Sequence, residues 1–442
     1  MRTTLDRWFR LAEHGTTPRT EVVAGVTTYL ALAYIVFVQP AVLSAAGMDF
    51  GAVMAATCLA SAFATLLMAV FANYPIAVAP AMGHNFYFAF AVVIGMQVPW
   101  PVALGAVAMA GTVFVLTAGI GLRERVIAAM PPFLQRATAA GIGLLIATIG
   151  LQWAGVIVAR PGTMIGLGDI REPVTVMALA GLAVTAMLAA RGARAAILAG
   201  MAVTTFIGLA AGILHYQGLV SAPPSIAPTL LKLDIAGALT PALAPVILVF
   251  FLLALFDSIG TLVGVASRAG LMRDGVLPRA RQALLADAVG TVAGAALGTS
   301  TVTAYVESAT GVSAGGRTGL ANVVTAALLL LTLFFSPLVR MIGGGVTVSE
   351  GVILYPIVAP ALILVGALMM REAREIEWDD LAQAVPAFLC VIVMPLTFSI
   401  TEGLSFGFIA AAVTYPASGR ARELHWLAYG VAALLLARYI WL

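Results

Sequence analysis

Two acidic side chains stand where ionised groups are hardest to tolerate: Asp257 in PVILVFFLLALFDSIGTLVGV and Glu307 in GTSTVTAYVESATG. The chain is 62% hydrophobic and only 10% charged, so nearly everything around them is compatible with lipid. An acid at the centre of a bilayer costs about 2.5–3.5 kcal/mol on insertion scales unless it faces a polar cavity, and acids kept there mark ligand or proton paths. A carboxylate accepts hydrogen bonds from ring N–H groups, and once protonated it donates one. Two acids in different surroundings can therefore divide ligand recognition and proton carriage. On that chemistry Glu307 is expected to recognise a ligand, and Asp257 to share the task or carry the proton. The plainer alternative is that one of them is a structural acid bonded to backbone at a helix break.

The elements that position these acids are membrane spans. With 442 residues and a mean hydropathy of +1.04, the chain is read as an all-α polytopic membrane protein. Segments of spanning length run at roughly 21–45, 51–71, 76–94, 99–120, 132–159, 173–190 and 194–215. A second set runs at roughly 242–267, 281–298, 302–316, 317–339, 352–370, 381–400 and 402–417, with an apolar tail at 424–442. With the N-terminus inside, the cytoplasmic loops collect Arg2, Arg7, Arg10 and Arg19; Arg123, Arg125 and Arg136; Arg191 and Arg194; Arg268, Arg273, Arg279 and Arg281; and Arg371 and Arg374. The opposite loops hold mainly Arg160, Arg171, Lys232 and Arg340. This asymmetry follows the positive-inside rule and predicts a multi-pass protein of the plasma (inner) membrane with a cytoplasmic N-terminus. The net charge of +3 is topological and does not point to nucleic acid. The first residues lack the apolar core of a signal peptide, and Leu5, Trp8, Phe9 and Ala12 recur at helical spacing. Residues 1–20 are therefore expected to form an interfacial segment. Cys58 and Cys390 lie in apolar segments and are expected to be buried free thiols.

Seven spans in each half imply an inverted repeat, because an odd count flips the second half. Leu59-Ala60-Ser61-Ala62-Phe63-Ala64-Thr65 resembles Leu285-Ala286-Asp287-Ala288-Val289-Gly290-Thr291 at an offset of 226, which places Ala81 opposite Glu307. Both regions carry an anomaly. ANYPIAVAPAMGHNFYF contains Pro75, Pro80 and Gly83, and GTSTVTAYVESATGV is polar and β-branched between Gly298 and Gly311. Neither suits a continuous membrane helix, and paired interrupted segments point to a transporter site. The expectation is two short extended stretches, in the third and tenth segments, meeting at mid-membrane and each leading into a half-helix aimed at the ligand.

The chain resembles the azaguanine-like (AzgA-type) purine permease branch of the nucleobase–cation symporter (nucleobase–ascorbate transporter) family. The resemblance is carried by GTTPRTEVVAGVTTYLALAYIVFVQPAVLSAAGMD, ANYPIAVAPAMGHN, LFDSIGTLVGVASRAGL, LLADAVGTVAGAALGTSTVTAYVESATGVSAGGRTGL and EIEWDDLAQAVPAFLCVIVMPLTFSITEGLSFGF. It implies about fourteen membrane segments in a seven-plus-seven inverted repeat. A core domain (21–120 and 242–339) would move, elevator-like, against a gate domain (130–215 and 345–442), as a homodimer. It also implies proton symport of purine nucleobases such as adenine, guanine or hypoxanthine. Carried over by position, Asp257 and Glu307 match the family's acids in the eighth and tenth segments. Thr261, Tyr305, Val306, Ala81 and Met82 border the same site. Family members commonly read GMGLN where this chain reads Ala81-Met82-Gly83-His84-Asn85, which leaves xanthine, uracil or a small anion as alternative substrates.

A purine offers a flat π-face and an edge of donors and acceptors. Phe86, Phe88 and Tyr34 are candidates to stack on it, although most membrane aromatics simply pack; such stacking is worth roughly 1–3 kcal/mol. Thr261, Ser258, Ser308 and Thr310 can reach a ligand, but membrane hydroxyls more often bond their own backbone. His84 can touch substrate or sense pH, since a free imidazole titrates at about 6.5, or it can be a satisfied core histidine. Asp287, aligned with Ser61, reads as a structural or proton-coupling residue. Glu350 and Glu402 fall near segment ends and read as interfacial. The histidines His14, His84, His215 and His425 are scattered and no HExxH run occurs, so neither a metal site, a cofactor nor an enzyme is expected. Gly141 and Gly143 read as permitting close helix packing.

Overall fold

Backbone in lipid must satisfy its own hydrogen bonds, which leaves the helix as the main option for these apolar runs. The computed structural model describes residues 4–120, 131–160, 162–193, 195–272, 277–349 and 352–441, and it is mostly helical. In chain order, a short helix α1 (Thr4–Phe9) precedes α2 (Pro18–Leu32), α3 (Ile35–Ala45) and α4 (Phe50–Leu67), the last prolonged by a π-helical turn to Ala72. Strand β1 (Val78–Pro80) enters α5 (Met82–Phe86), which continues in π-helical form to Gly95, and α6 (Trp100–Ile120) follows. Next come α7 (Pro132–Trp153), strands β2 (Ile157–Arg160) and β3 (Met164–Leu167), α8 (Pro173–Ala190) and α9 (Ala196–Ala210). The second half runs α10 (Ile235–Ala238), α11 (Ala244–Arg268), α12 (Ala280–Leu297), β4 (Val302–Ala304), α13 (Ser308–Ser313), α14 (Gly319–Thr332) and α15 (Ser336–Gly343). It closes with β5 (Val346–Ser349), β6 (Val352–Leu354), α16 (Ala359–Met369), α17 (Leu381–Thr397), α18 (Ile400–Ala417) and α19 (Trp426–Trp441).

Among the described residues, seven stretches are helical, long and apolar enough to cross a bilayer: Pro18–Ala45, Phe50–Ala72, Trp100–Ala118, Pro132–Trp153, Pro173–Ala190, Pro241–Arg268 and Gly319–Gly343. Other apolar helices, including Met82–Gly95, Ala196–Ala210 and Leu381–Thr397, are shorter. Residues 302–316 are a strand and a six-residue helix, the extended stretch and half-helix expected of the tenth segment. Two other segments differ from the sequence reading. Residues 352–370 become helical only at Ala359. The span expected at 132–159 ends at Trp153, where Gly155 at φ 74° turns the chain into the β2–β3 hairpin. Arg2, Arg123, Arg125, Arg194, Arg273 and Glu350 lie outside the described residues.

Helix starts follow local chemistry. Thr17 and Asp49 cap α2 and α4 through Thr20 N and Ala52 N, and Asp380 and Ser399 cap α17 and α18. At the other end of that last pair, Arg420 bonds Asp380 at 2.5 Å and Glu423 at 2.7 Å, and its guanidinium holds both carboxyls below their usual range. Small residues set the tightest contacts. A Cβ on Gly143 would lie 2.6 Å from Met369 Cβ and 2.8 Å from the Gly366 carbonyl oxygen, so α7 and α16 meet backbone to backbone. Cys58 and Cys390 are buried and unpaired with each other. The chain start is tied down where Asn73 Nδ2 donates to the Phe9 carbonyl at 2.9 Å, while Trp8 stays exposed.

The two interrupted segments meet as antiparallel strands, with Val78 opposite Ala304, Ala79 opposite Thr303 and Pro80 opposite Val302. Ala81 N donates to Thr301 O at 3.0 Å, and Tyr305 N to Ala77 O at 2.9 Å. Each strand is stapled to the preceding helix by a threonine. Thr65 Oγ1 bonds both N and O of Val78 at 3.0 Å, and Thr291 Oγ1 bonds N and O of Val302 at 3.2 and 2.8 Å. The first staple spans 13 residues and the second 11. This two-residue difference corrects the alignment. The residue that plays Ala81's part in the second strand is Tyr305, and Glu307 stands opposite Gly83 instead.

Candidate functional site

Glu307 is the residue immediately before α13, where β4 has just ended. Its carboxylate accepts from Tyr34 Oη at 2.6 Å, and Tyr34 sits almost wholly buried in the break between α2 and α3. Tyr34 therefore orients the acid through its hydroxyl rather than offering a face to a ring. Ser308 and Thr310 are committed locally: Ser308 Oγ accepts from Ala77 N at 2.9 Å, and Thr310 Oγ1 donates to the Glu307 carbonyl at 2.7 Å.

Asp257 lies midway along α11 and is exposed there, accepting from Thr303 Oγ1 of β4 at 2.9 Å. The exposed face continues through Gly260, half-buried Thr261, Gly264 and Ser267 to Arg268. A lipid-facing stripe would be apolar, so this polar, small-residue face reads as the side of an aqueous cleft. Val306, 60% exposed, and half-buried Glu307 border it. Asp257 and Glu307 flank the same short strand, the first bonded to Thr303 of β4 and the second three residues beyond its end. Asp257, Thr261, Val306 and Glu307 are thus brought together. Two open cavities elsewhere, of about 570 and 690 Å3, are not lined by either acid.

Asp287 is fully buried on α12, with Oδ2 accepting from Ala304 N at 3.2 Å and the carboxylate facing Ser258. The aligned position in the first half is Ser61, whose buried hydroxyl has no partner among the described residues. The reason is visible in the strands: the counterpart of Ala304 is Pro80, which has no N–H to satisfy. Asp287 therefore positions β4. Asp287→Asn keeps an acceptor for Ala304 and is expected to keep the wild-type thermal midpoint. Asp287→Leu strands a buried N–H and is expected to cost about 1–3 kcal/mol, read as a lower thermal midpoint in detergent. A midpoint lowered as much by Asn as by Leu would contradict this positioning of β4.

The remaining candidates pack around this centre. Tyr305 Oη donates to the Pro80 carbonyl at 2.6 Å and locks the strand crossing. Ala81 and Met82 are buried at the start of α5. His84 is buried with its ring toward the Leu253 backbone, one turn ahead of Asp257 on α11. Phe86 stacks on Phe90 at 5.8 Å and meets Trp153 of α7, while Phe88 is fully buried. Sequence reasoning missed Thr303, the donor to Asp257, although its β-branched strand setting was legible. It also missed a buried polar cluster in which Gln39 Nε2 donates to Thr299 Oγ1 at 2.9 Å and Ser300 bonds Asn85. No group of three or more His, Cys, Asp or Glu that would hold a metal occurs among the described residues.

Residues 19–406 match the permease family. Adenine permease AdeP of Escherichia coli K12 is 45% identical over 439 residues, covering 99% of this chain and 96% of that one. Guanine/hypoxanthine permease PbuG of Bacillus subtilis is 42% identical over 447 residues, covering 98% and 99% respectively. Among solved structures, the transmembrane domain of a cyanobacterium bicarbonate transporter, BicA, superposes with a TM-score of 0.62 at 16% identity, covering 89% of this chain and 97% of that one. That likeness speaks for the fold alone.

Proposed function

We infer, from the premise that the chain belongs to the permease family and is a multi-pass membrane transporter rather than an enzyme, that it imports purine nucleobases by proton symport. The observation that carries this reading is the pair of carboxylates at the crossing of two buried strands, one exposed to a cleft at mid-helix and one oriented by Tyr34. The names of its relatives, adenine permease and guanine/hypoxanthine permease, support purines as the substrate class. In this reading Glu307 accepts from ring N–H groups of the base, and Asp257 takes and releases the proton across the cleft. Thr261 and the backbone around Val306 complete the edge contacts, with Ala81, Met82 and Tyr305 shaping the floor.

The wider scheme is also proposed: about fourteen segments in two inverted halves, a core of 21–120 and 242–339 rising and falling against a gate of 130–215 and 345–442, a homodimer, and a plasma-membrane location with the N-terminus inside. The matched strand pairing and the twin threonine staples support the two related halves. Competition of labelled adenine uptake by a panel of unlabelled compounds tests substrate class. Adenine, guanine or hypoxanthine should compete, and uracil, xanthine, sulfate and bicarbonate should not. Competition by the anions alone would sink the purine reading.

A further inference from the structure

The donor to Asp257 is a strand residue. Thr303 stands at the middle of β4, almost wholly buried, and its Oγ1 donates to Asp257 Oδ2 at 2.9 Å across 46 residues of sequence. Threonines in membrane helices commonly turn their hydroxyls onto their own backbone. Thr57, Thr138, Thr185 and Thr204 do so here, each donating to the carbonyl four residues before it. Thr303 directs its hydroxyl to a side chain of another element instead.

Strand pairing does not require that hydroxyl. The threonine staples align Val78 with Val302, and so Ala79 with Thr303 and Pro80 with Ala304. Ala79 is also the residue directly opposite Thr303 in the ladder, and it is fully buried. The first strand thus fills the equivalent place with a methyl group, while the second carries a hydroxyl aimed at an acid. Ala304 N bonds Asp287, Tyr305 N bonds Ala77 O and Tyr305 Oη bonds Pro80 O. Those bonds hold β4 to α12 and β1 whether or not Thr303 has its hydroxyl. What the hydroxyl adds is a link to α11, at the exposed acid that takes the proton in the reading above.

We propose that Thr303 is a positioning residue for the proton step: its hydroxyl donates to Asp257 while that acid is ionised and turns to accept from it once the proton is on. The inference rests on the transport reading and extends it. A hydroxyl is both donor and acceptor, so the change of roles needs only a rotation of its hydrogen. Thr303 keeps its own proton throughout, and the transported one reaches and leaves Asp257 through the cleft. A donor to a carboxylate favours the ionised form, so losing it slows release of the proton and return of the empty core. Exchange of base for base passes over that step, because the loaded core goes back with its proton in place.

Proteoliposomes holding the full chain test it, with labelled adenine and labelled hypoxanthine as probes. Thr303→Val keeps the branched shape that suits a strand and leaves Asp257 facing the cleft, so the protein should hold its thermal midpoint. Its initial gradient-driven uptake should fall roughly tenfold, and base-for-base exchange by much less. Thr303→Ser restores the hydroxyl and should recover most of the lost uptake. Gradient-driven uptake by the Val variant at the wild-type rate would overturn the inference. So would a Ser variant no better than Val, or uptake and exchange falling by one factor with a lowered midpoint, the mark of a strand residue alone. In each of these cases the transport reading stands, because the wild type still accumulates its base. A folded wild type with no gradient-driven uptake of either base would bring down both.

Discussion

Glu307→Gln is expected to weaken base binding by about 2–3 kcal/mol, roughly 30- to 150-fold, while the protein stays folded. The amide oxygen can still accept the Tyr34 hydroxyl, so the buried contact that orients the side chain survives the change. What disappears is the charge-assisted acceptor, the stronger kind of hydrogen bond, at the one place where a ring N–H would meet it. The backbone just after Glu307 is held independently by Ala77 N to Ser308 Oγ and by the strand pairing, so the half-helix should not move. Tyr34→Phe provides the companion measurement. It leaves the carboxylate charged but unrestrained, and should weaken binding by less than Glu307→Gln. Equilibrium binding in detergent, with gel-filtration profiles for each variant, reads both effects. Wild-type affinity in Glu307→Gln would remove this residue from the site.

Asp257→Asn is expected to separate binding from coupling. An asparagine keeps an oxygen to accept Thr303 Oγ1, so β4 and α11 stay in register, but it cannot take up and release a proton. Accumulation driven by a proton gradient should therefore fall to the level reached by equilibration of the base alone. Exchange of labelled for unlabelled base across the same membrane should continue. Asp257 suits this part better than Glu307 because it is exposed on the cleft side of α11, whereas Glu307 is half-buried against Tyr34. If the Asn variant accumulates base like the wild type, the proton travels elsewhere, and the next group to examine is Asp287.

The acids were legible in the sequence because a carboxylate among apolar residues is an expense that demands a reason. The crossed strands were legible too, since Pro75, Pro80 and the β-branched run after Gly298 are poor helix and good extended chain. The register between the halves was not. A ladder read from helical residues misses that the second connection is two residues shorter, and only the hydrogen bonds of Thr65 and Thr291 reveal it. Tyr34 was legible as an aromatic near the site but not as a donor to an acid 273 residues away, because side-chain direction belongs to tertiary packing. The same holds for His84, whose ring turns to α11. The surface hairpins β2–β3 and β5–β6 were hidden because their Val and Ile content reads as span until the glycine turns at Gly155 and Gly345 are placed. The bond that Asp287 makes to β4 was not legible either, because it depends on Ala304 having an N–H where the first half has Pro80.

The central claim joins a purine to a proton at Asp257 and Glu307, and one measurement meets it directly. Uptake of labelled adenine, guanine and hypoxanthine into proteoliposomes is followed with and without an inward proton gradient. The account predicts gradient-dependent accumulation of at least one of these bases, abolished by a protonophore. Folded protein that transports none of them under either condition would contradict it.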